Sequence, residues 1–364
     1  MASAIDNSTF TFNPEELKDW SLVINELTFG DPTLNSVHDV QQGIKHQHQI
    51  VFAGRMGPIG KKVGANCTPN EIDGVTLTEK FWDPAFEDFR LSHCSSDVNQ
   101  QDKLVNQMTR MNPDYFTIVE GSQSVIGNFL VERVLSGLGE SLWWKVWFDR
   151  KDASTFGSGS GSEDFTSGSD VDFWNSFDGL FYQIYQEPSL AAGGKYYSSL
   201  LASRNAEATY ADQELVSGES ISAMKDVYNK ADSRLRGRAD AKFLVTRSVY
   251  DGVVNDLETI QNVGGFTQTN ENGMMTLRYR GIEVVMMDVW DRFIVDYKNS
   301  GTNYVLPNRI VLTVASNIPV GTLADGDFGT IDAFYDRTLK TNFIDGEYCI
   351  DSKLLEDYLT CVAY

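Results

Sequence analysis

The fold is decided by residues 112–148, which read NPDYFTIVEGSQSVIGNFLVERVLSGLGESLWWKVWF. Asn112 suits the N-cap of a helix, and Pro113 suits the first helical position, where its missing N–H is no loss. Apolar residues then recur at three- and four-residue spacing, which is typical of a helix with one buried stripe. Because no further proline interrupts the stretch, we predict a single helix of about 50 Å. This helix would be the spine on which the remaining elements pack.

The composition indicates a globular chain with a strongly acidic surface. Its 364 residues are 41% hydrophobic and 22% charged, enough for one large domain or a few subdomains with cores of their own. No apolar run approaches the roughly 18 residues of a membrane span, and no signal peptide is visible, so we expect a cytosolic protein that contacts no membrane. The net charge of -21 repels nucleic-acid phosphates and argues against tight DNA binding.

The cysteines and histidines give no strong metal or redox pattern. No C-x-x-C pair occurs, so we expect free thiols at all four cysteines, which are Cys67, Cys94, Cys349 and Cys361. His46 and His48 together with His93 and Cys94 can be drawn as a zinc site, but their spacing matches no strong zinc motif. We therefore expect no bound metal.

The first third of the chain predicts an arm followed by a long ribbon. Residues 1–13 are polar, a helix is expected from about Pro14, and a second short helix is expected over residues 36–46. Residues 49–82 have two strand-like ends and a glycine-rich middle, which predicts a two-stranded excursion with little core of its own. Its middle evokes a phosphate-binding loop, but Arg55 and Lys62 stand where that motif requires glycine and serine or threonine.

The remainder alternates helices and strands, which predicts an α+β class. Residues 157–170 are rich in glycine and serine and predict a surface loop. The predicted helices cover residues 170–186, 217–230 and 248–261, with a last helix from Asp351. The predicted strands cover residues 242–247, 274–279, 281–290 and 309–315. The strand over 281–290 is nearly all apolar, so we expect it inside a sheet.

No arrangement of residues indicates catalysis. A G-x-S-x-G motif is absent, and the histidines all lie in the first quarter of the chain. Acidic pairs without the spacing of a calcium loop occur at Asp170 and Asp172, at Asp325 and Asp327, and at Glu163 and Asp164. We therefore predict no catalytic, cofactor-binding or metal-binding residues. An α+β enzyme whose site the sequence does not reveal stays open as an alternative.

Four local phrases, together with the order of the elements, resemble one protein family. The phrases are FDGL at 177–180, AKFLVTRSVYDGVV at 241–254, RGIEVVMMD at 280–288 and DGDF at 325–328. An arm, a long two-stranded loop, a spine helix and a compact mixed subdomain follow one another in this chain. The sequence resembles the major capsid protein of tailed bacteriophages, the Hong Kong 97 fold, which encapsulin shells share.

The resemblance implies a domain plan. The N-terminal arm would cover residues 1–45 and the extended loop residues 46–84. A peripheral domain, with the spine helix and the flexible loop 157–170, would cover residues 85–190. A mixed α/β axial domain would cover residues 191–320, and residues 321–364 would return to the peripheral domain.

The resemblance also implies a function. A member of this family is a structural protein without catalytic residues or cofactors, and it assembles into the pentamers and hexamers of an icosahedral head that encloses double-stranded DNA. Its partners would be other copies of itself and the portal, scaffolding or accessory capsid proteins. It would belong to the virion and be assembled in the host cytoplasm. An encapsulin-type shell is the alternative within the same fold.

Overall fold

The structure is a computed structural model, and it describes residues 37–44, 49–53, 77–94, 125–156, 164–259, 267–269, 275–322, 329–336 and 341–364. Several predictions made from the sequence lie outside these residues. They are the helix from about Pro14, the middle of the ribbon and the beginning of the spine helix over 112–124.

The described residues form mixed helical and strand structure. The strands are β1 (Val40–Gln41), β2 (Gln49–Ala53), β3 (Leu77–Phe81), β4 (Ala85–Cys94), β5 (Tyr197–Ser198), β6 (Ala241–Val245), β7 (Thr267–Thr269), β8 (Met275–Tyr279), β9 (Ile282–Met286), β10 (Ile310–Val314), β11 (Val320–Thr322), β12 (Gly329–Asp336), β13 (Thr341–Ser352) and β14 (Cys361–Ala363). The α-helices are α1 (Val125–Phe148), α2 (Leu180–Gln186), α3 (Ala202–Asn205), α4 (Glu219–Lys230), α5 (Ser233–Arg236), α6 (Arg247–Thr259) and α7 (Asp288–Tyr297). The 3₁₀ turns are Val171–Trp174, Ala315–Asn317 and Asp357–Leu359.

The predicted spine helix is confirmed over α1. At about 1.5 Å per residue its 24 residues span roughly 36 Å. Its last turn carries the centre of an aromatic cluster, in which Trp147 lies 4.6 Å from Trp290 and Phe148 lies 4.2 Å from Phe293, measured between ring centroids. The C-terminal end of α1 is therefore fixed in the core by helix α7. Among the described helices, none combines the length and the apolar character needed to cross a bilayer.

The first sheet has three long strands and, at one end, two short strands. β13 pairs antiparallel with β4 along one edge and with β12 along the other, and β11 pairs with the last residues of β13. β1 then pairs parallel with β11. The helix predicted over residues 36–46 is therefore wrong over 38–44. Gly43 has a φ of 93°, which a right-handed helix does not allow.

The second sheet has the strand order β5-β14-β10-β6-β9-β8-β7. β6 and β9 run parallel, and β10 lies antiparallel to β6. All five residues of β10 are buried, and β9 lies between β6 and β8, which confirms the prediction of an interior strand. The predicted strand does not continue to Trp290. The chain turns at Met287, and α7 then buries Trp290, Phe293 and Ile294 at helical spacing.

The C-terminus differs from the sequence-based prediction. No helix begins at Asp351, because β13 continues to Ser352 and the chain then leads through a 3₁₀ turn into β14. The N–H of Leu355 donates to the carbonyl of Asn317 (3.0 Å) instead of to a helical partner. β14 lies in the second sheet between β5 and β10. Residues 321–364 therefore contribute strands to both sheets.

Two predictions near the spine are also corrected. The surface-loop prediction for 157–170 fails at Phe165, which is fully buried and donates its N–H to the carbonyl of Ser154 (2.8 Å); residues 157–163 lie outside the described part. The helix predicted over 170–186 is divided into a 3₁₀ turn and α2. The division falls at Gly179, where a Cβ would lie 2.9 Å from the backbone nitrogen of Asp149.

Candidate assembly surfaces

Of the histidines and cysteines considered for a metal site, the structure describes only the strand positions of His93 and Cys94. His93 and Cys94 end β4, where they pair with Asn342 and Thr341 of β13, and His46 and His48 lie outside the described residues. No group of three or more histidine, cysteine or acidic side chains that could hold a metal occurs among the residues that the structure describes.

One histidine is a core residue. His38 is 1% exposed, and its ring lies 5.4 Å from the rings of both Trp143 and Trp147. Its Nδ1 lies 2.9 Å from the carbonyl oxygen of Ile318, and since a carbonyl can only accept, Nδ1 donates. Burial lowers the pKa of His38 to about 4. The ring is therefore neutral near pH 7 and acts as a packed, hydrogen-bonded side chain.

The acidic pairs serve local structure where they are described. Asp170 caps the 3₁₀ turn by accepting from the N–H of Asp172 (3.1 Å), and Asp172 accepts from the side chain of Asn175 (3.2 Å). Asp164 is buried and accepts from the hydroxyl of Ser154 (2.6 Å). Glu163, Asp325 and Asp327 lie outside the described residues.

A buried ionic cluster joins α1 to the first sheet. Lys145 Nζ lies 2.6 Å from Glu87 Oε2, and the hydroxyl of Tyr348 donates to the same oxygen (2.5 Å). Lys145 also donates to the carbonyl of Phe173 (2.6 Å). Burial raises the pKa of Asp149, at the end of α1, well above its usual value, although Lys145 opposes the shift. Because the ammonium and the Glu87 carboxylate satisfy each other inside the protein, the cluster fastens helix to sheet.

Sequence reasoning did not identify this cluster, although one signal was present. Lys145 is the only charged residue within the run LWWKVWF at 142–148. A lone cation in such a run needs a buried partner, because an unpaired buried charge is strongly unfavourable. Glu87, however, is 58 positions away in the sequence, so the sequence alone does not reveal which acid is that partner.

The predicted two-stranded ribbon is confirmed at its two ends. β2 and β3 pair antiparallel over five residues, and among the described strands they pair only with each other. The base of the ribbon is anchored, since Lys80 Nζ donates to the carbonyl of Leu354 (2.5 Å) and Trp82 is 1% exposed. Phe81, between these two anchors, is 53% exposed. A two-stranded ribbon is at best marginally stable alone, so this feature is a candidate contact surface.

β4 is a second candidate contact surface. It pairs only with β13 within the described part, so its outer edge has backbone groups available to another chain. Phe86 is 64% exposed and Leu91 is 37% exposed along this strand. Arg90 binds Asp345 through two hydrogen bonds of 2.7 and 2.5 Å. An exposed edge with large apolar side chains is typical of an interaction surface.

Comparisons with known proteins identify the fold. No family model matches the chain, and no curated protein matches its sequence. A chain in the structure of the satellite phage P4 procapsid including size determination (Sid) protein is similar, with 11% identity, 94% of this chain and 96% of that chain covered, and a TM-score of 0.51. A chain in the capsid of the native GTA particle has 9% identity over 91% and 88% of the two chains, with a TM-score of 0.49. A chain in the capsid of Cyanophage P-SCSP1u has 12% identity over 90% and 86%, with a TM-score of 0.45.

The P4 procapsid comparison carries the conclusion about the fold, since it spans nearly the whole of both chains. The chain has an α+β fold that is found in phage capsids. The predicted class and the predicted resemblance to capsid proteins are confirmed at the level of the fold.

Proposed function

We propose that this chain is the major capsid protein of a tailed bacteriophage. Copies of it would assemble into pentamers and hexamers of an icosahedral head that encloses double-stranded DNA without binding it specifically. The proposal rests on the structural similarity to a chain of a phage procapsid, which covers 94% of this chain and 96% of that chain.

The domain plan belongs to the same proposal. Residues 85–190 would form a peripheral domain on the spine helix, and residues 191–320 would form the axial domain near the centre of each capsomer. β14 would couple the two, because it follows β13 of the first sheet and lies within the second sheet. Portal, scaffolding and accessory proteins would be the further partners, and assembly would take place in the host cytoplasm.

The ribbon would lie across a neighbouring subunit. Its middle contains Arg55, Lys61 and Lys62 in a chain of net charge -21, so attraction to an acidic neighbour would hold it. Reversing all three charges should impair particle assembly and leave the circular dichroism of the subunit unchanged. Normal assembly of this triple variant would contradict the proposed role of the ribbon.

The general test is expression of the chain alone, followed by nuclease treatment, velocity sedimentation and mass spectrometry of the sedimenting fraction. We expect large particles that contain this chain and no packaged enzyme. Reproducible co-purification of one enclosed enzyme would favour the encapsulin alternative. A subunit that never enters the fast-sedimenting fraction and turns over a substrate would favour the hidden enzyme.

A further inference from the structure

One edge of the second sheet carries arginine side chains. β6 and β9 are parallel neighbours, so the residues before them lie at the same edge of the sheet. Arg236 lies in α5 just before β6, and Arg280 precedes β9. Arg280 and Gly281 have φ values of 51° and 85°, which are the signs that a two-residue type I′ turn requires. The backbone therefore holds Arg280 in a defined position, and we call this side of the sheet the arginine edge.

The two arginines converge on one aromatic ring. The Cζ atom of Arg280 lies 4.6 Å from the ring centroid of Tyr228, and that of Arg236 lies 5.8 Å from it. Both side chains are exposed, and among the described residues neither has a carboxylate partner. A guanidinium held by an aromatic face keeps its hydrogen-bond donors available for a carboxylate.

The neighbouring arginines behave differently. Arg234 lies 2.9 Å from Asp232, and Arg238 lies 2.7 Å from Asp240. These two pairs are locally neutral. The positive excess at the arginine edge therefore comes from Arg236 and Arg280.

The opposite edge of the same two strands is acidic. Helix α6 begins at Arg247 after β6, and helix α7 begins at Asp288 after β9. The N–H of Arg247 donates to Asp291 (2.8 Å), and its side chain lies 3.4 Å from Asp251. Burial, reinforced by Asp288 and Asp251, raises the pKa of Asp291 to about 6. Asp251 and Asp291 thus lie close to Arg247, and Asp251 and Asp288 are exposed; we call this side the acidic edge.

The charged groups of the two edges differ in sign. Strands of five residues at about 3.3 Å per residue separate the edges by roughly 16 Å. Since the Debye length is about 8 Å at physiological salt, the edges do not neutralise each other within one subunit. The helix dipole also favours acids at the start of α7, but that effect does not account for two arginines at the other edge that have no carboxylate partner among the described residues.

We propose that the arginine edge of one subunit docks on the acidic edge of a second copy, in a head-to-tail contact. The inference rests on the proposed self-assembling function and names a charge contact that would orient it. A head-to-tail contact uses different surfaces on the two copies, so it continues from copy to copy into a ring or a filament. A second copy suits the arginine edge better than nucleic acid does, because a chain of net charge -21 repels phosphates.

Charge-swap variants test the contact. R236E/R280E makes both edges acidic, and D251K/D288K makes both edges basic. Each should lower the yield of sedimenting particles at least about ten-fold, because like charges then face each other. The quadruple variant should restore the yield to within about two-fold, because its edges are again complementary. Mixing the two double variants should also produce co-oligomers that neither forms alone.

A control separates position from net charge. Glu207 and Glu214 are exposed in the loop between α3 and α4, and R236E/R280E combined with E207K/E214K has the same net charge as the quadruple variant. This control should not assemble. Circular dichroism and melting temperatures of all variants establish that each is folded.

The outcomes distinguish this contact from the proposed function. If the wild-type chain forms particles and R236E/R280E forms them equally well, the contact is refuted and the shell function stands. Equal rescue by E207K/E214K would refute it too, since net charge alone would then explain the effect. If R236E/R280E loses assembly only because it no longer recruits nucleic acid, the arginine edge binds phosphate and not a second copy. If the wild-type chain forms no particles, the proposed function and this contact fall together.

Discussion

The substitution Phe165→Ala tests the most unexpected feature of the core. The residue lies in a stretch whose composition predicts a surface loop, yet its side chain is fully buried. Its ring stacks at 6.5 Å on Trp174 and meets Phe293 edge-on at 6.2 Å, and Lys298 Nζ lies 3.9 Å from its centroid. Removing a buried phenylalanine lowers the free energy of unfolding by about 3–5 kcal/mol. We expect the upper half of this range, because the buried Lys298 also loses its aromatic partner.

The matched control is Phe173→Ala, the same change eight positions away in a side chain that is 63% exposed. It should lower the free energy of unfolding by less than about 1 kcal/mol. Urea unfolding of dissociated subunits, followed by tryptophan fluorescence, measures both variants. If the two variants lose the same small amount, Phe165 is not a core residue and the surface-loop interpretation of 157–170 is right after all.

Three further predictions concern buried polar groups. Burial lowers the pKa of His38 from 6.5 to about 4, so the unfolded chain binds the proton more readily and stability falls as the pH drops below 6.5 and through 4. Between pH 7 and pH 5 the free energy of unfolding of the wild type should fall by about 2 kcal/mol more than that of His38→Gln. Urea unfolding measures both proteins, and an equal fall in the two would contradict this. Lys145→Met should lower the free energy of unfolding by about 3–5 kcal/mol, because it removes the ammonium partner of Glu87, whose side chain is only 12% exposed. Combining it with Glu87→Leu should recover most of the loss. An equal loss in both variants would exclude the ion pair as the cause. Burial raises the pKa of Cys349 to about 11 and of Cys361 to about 12, so both thiols should resist a thiol reagent at pH 8 until the chain unfolds. Mass spectrometry of intact particles without reductant checks the free-thiol prediction, and a disulfide to either cysteine would refute it.

Elements whose signals are local could be predicted from the sequence. The ends of the ribbon, β2 and β3, contain β-branched and aromatic residues, which favour strands, and they flank a glycine-rich middle. Helix α6 follows a strand directly and has an apolar face at helical spacing, with Val249, Val253 and Leu257 buried. In these segments hydrophobic period and turn residues indicate the same structure.

Helix α7 shows where such reasoning fails. Residues 282–290 form an almost continuous apolar run, which has neither a strand period nor a helix period. The boundary lies at Met287, whose ψ of 75° ends the strand before α7 begins. No glycine or proline marks this turn. The helical period becomes visible only after Trp290, because only there do exposed residues alternate with buried ones.

β14 and the arginine edge were not predictable for a different reason. β14 pairs with β5, which lies more than 160 positions earlier in the sequence, and with β10. The arginine edge requires Tyr228 of α4 to approach the turn between β8 and β9. Both features depend on contacts between segments distant in sequence, which hydrophobic period and local propensity do not encode. The sequence has three arginines between 234 and 238, but it does not indicate which two of them have carboxylate partners.

Electron microscopy of the purified, concentrated subunit tests the central claim most directly. The account predicts closed shells whose surface is divided into five-fold and six-fold capsomers, with this fold resolved in each position. A chain that stays a single, slowly sedimenting species at every concentration and salt tested, and that forms no ring or shell on the grid, would contradict the account.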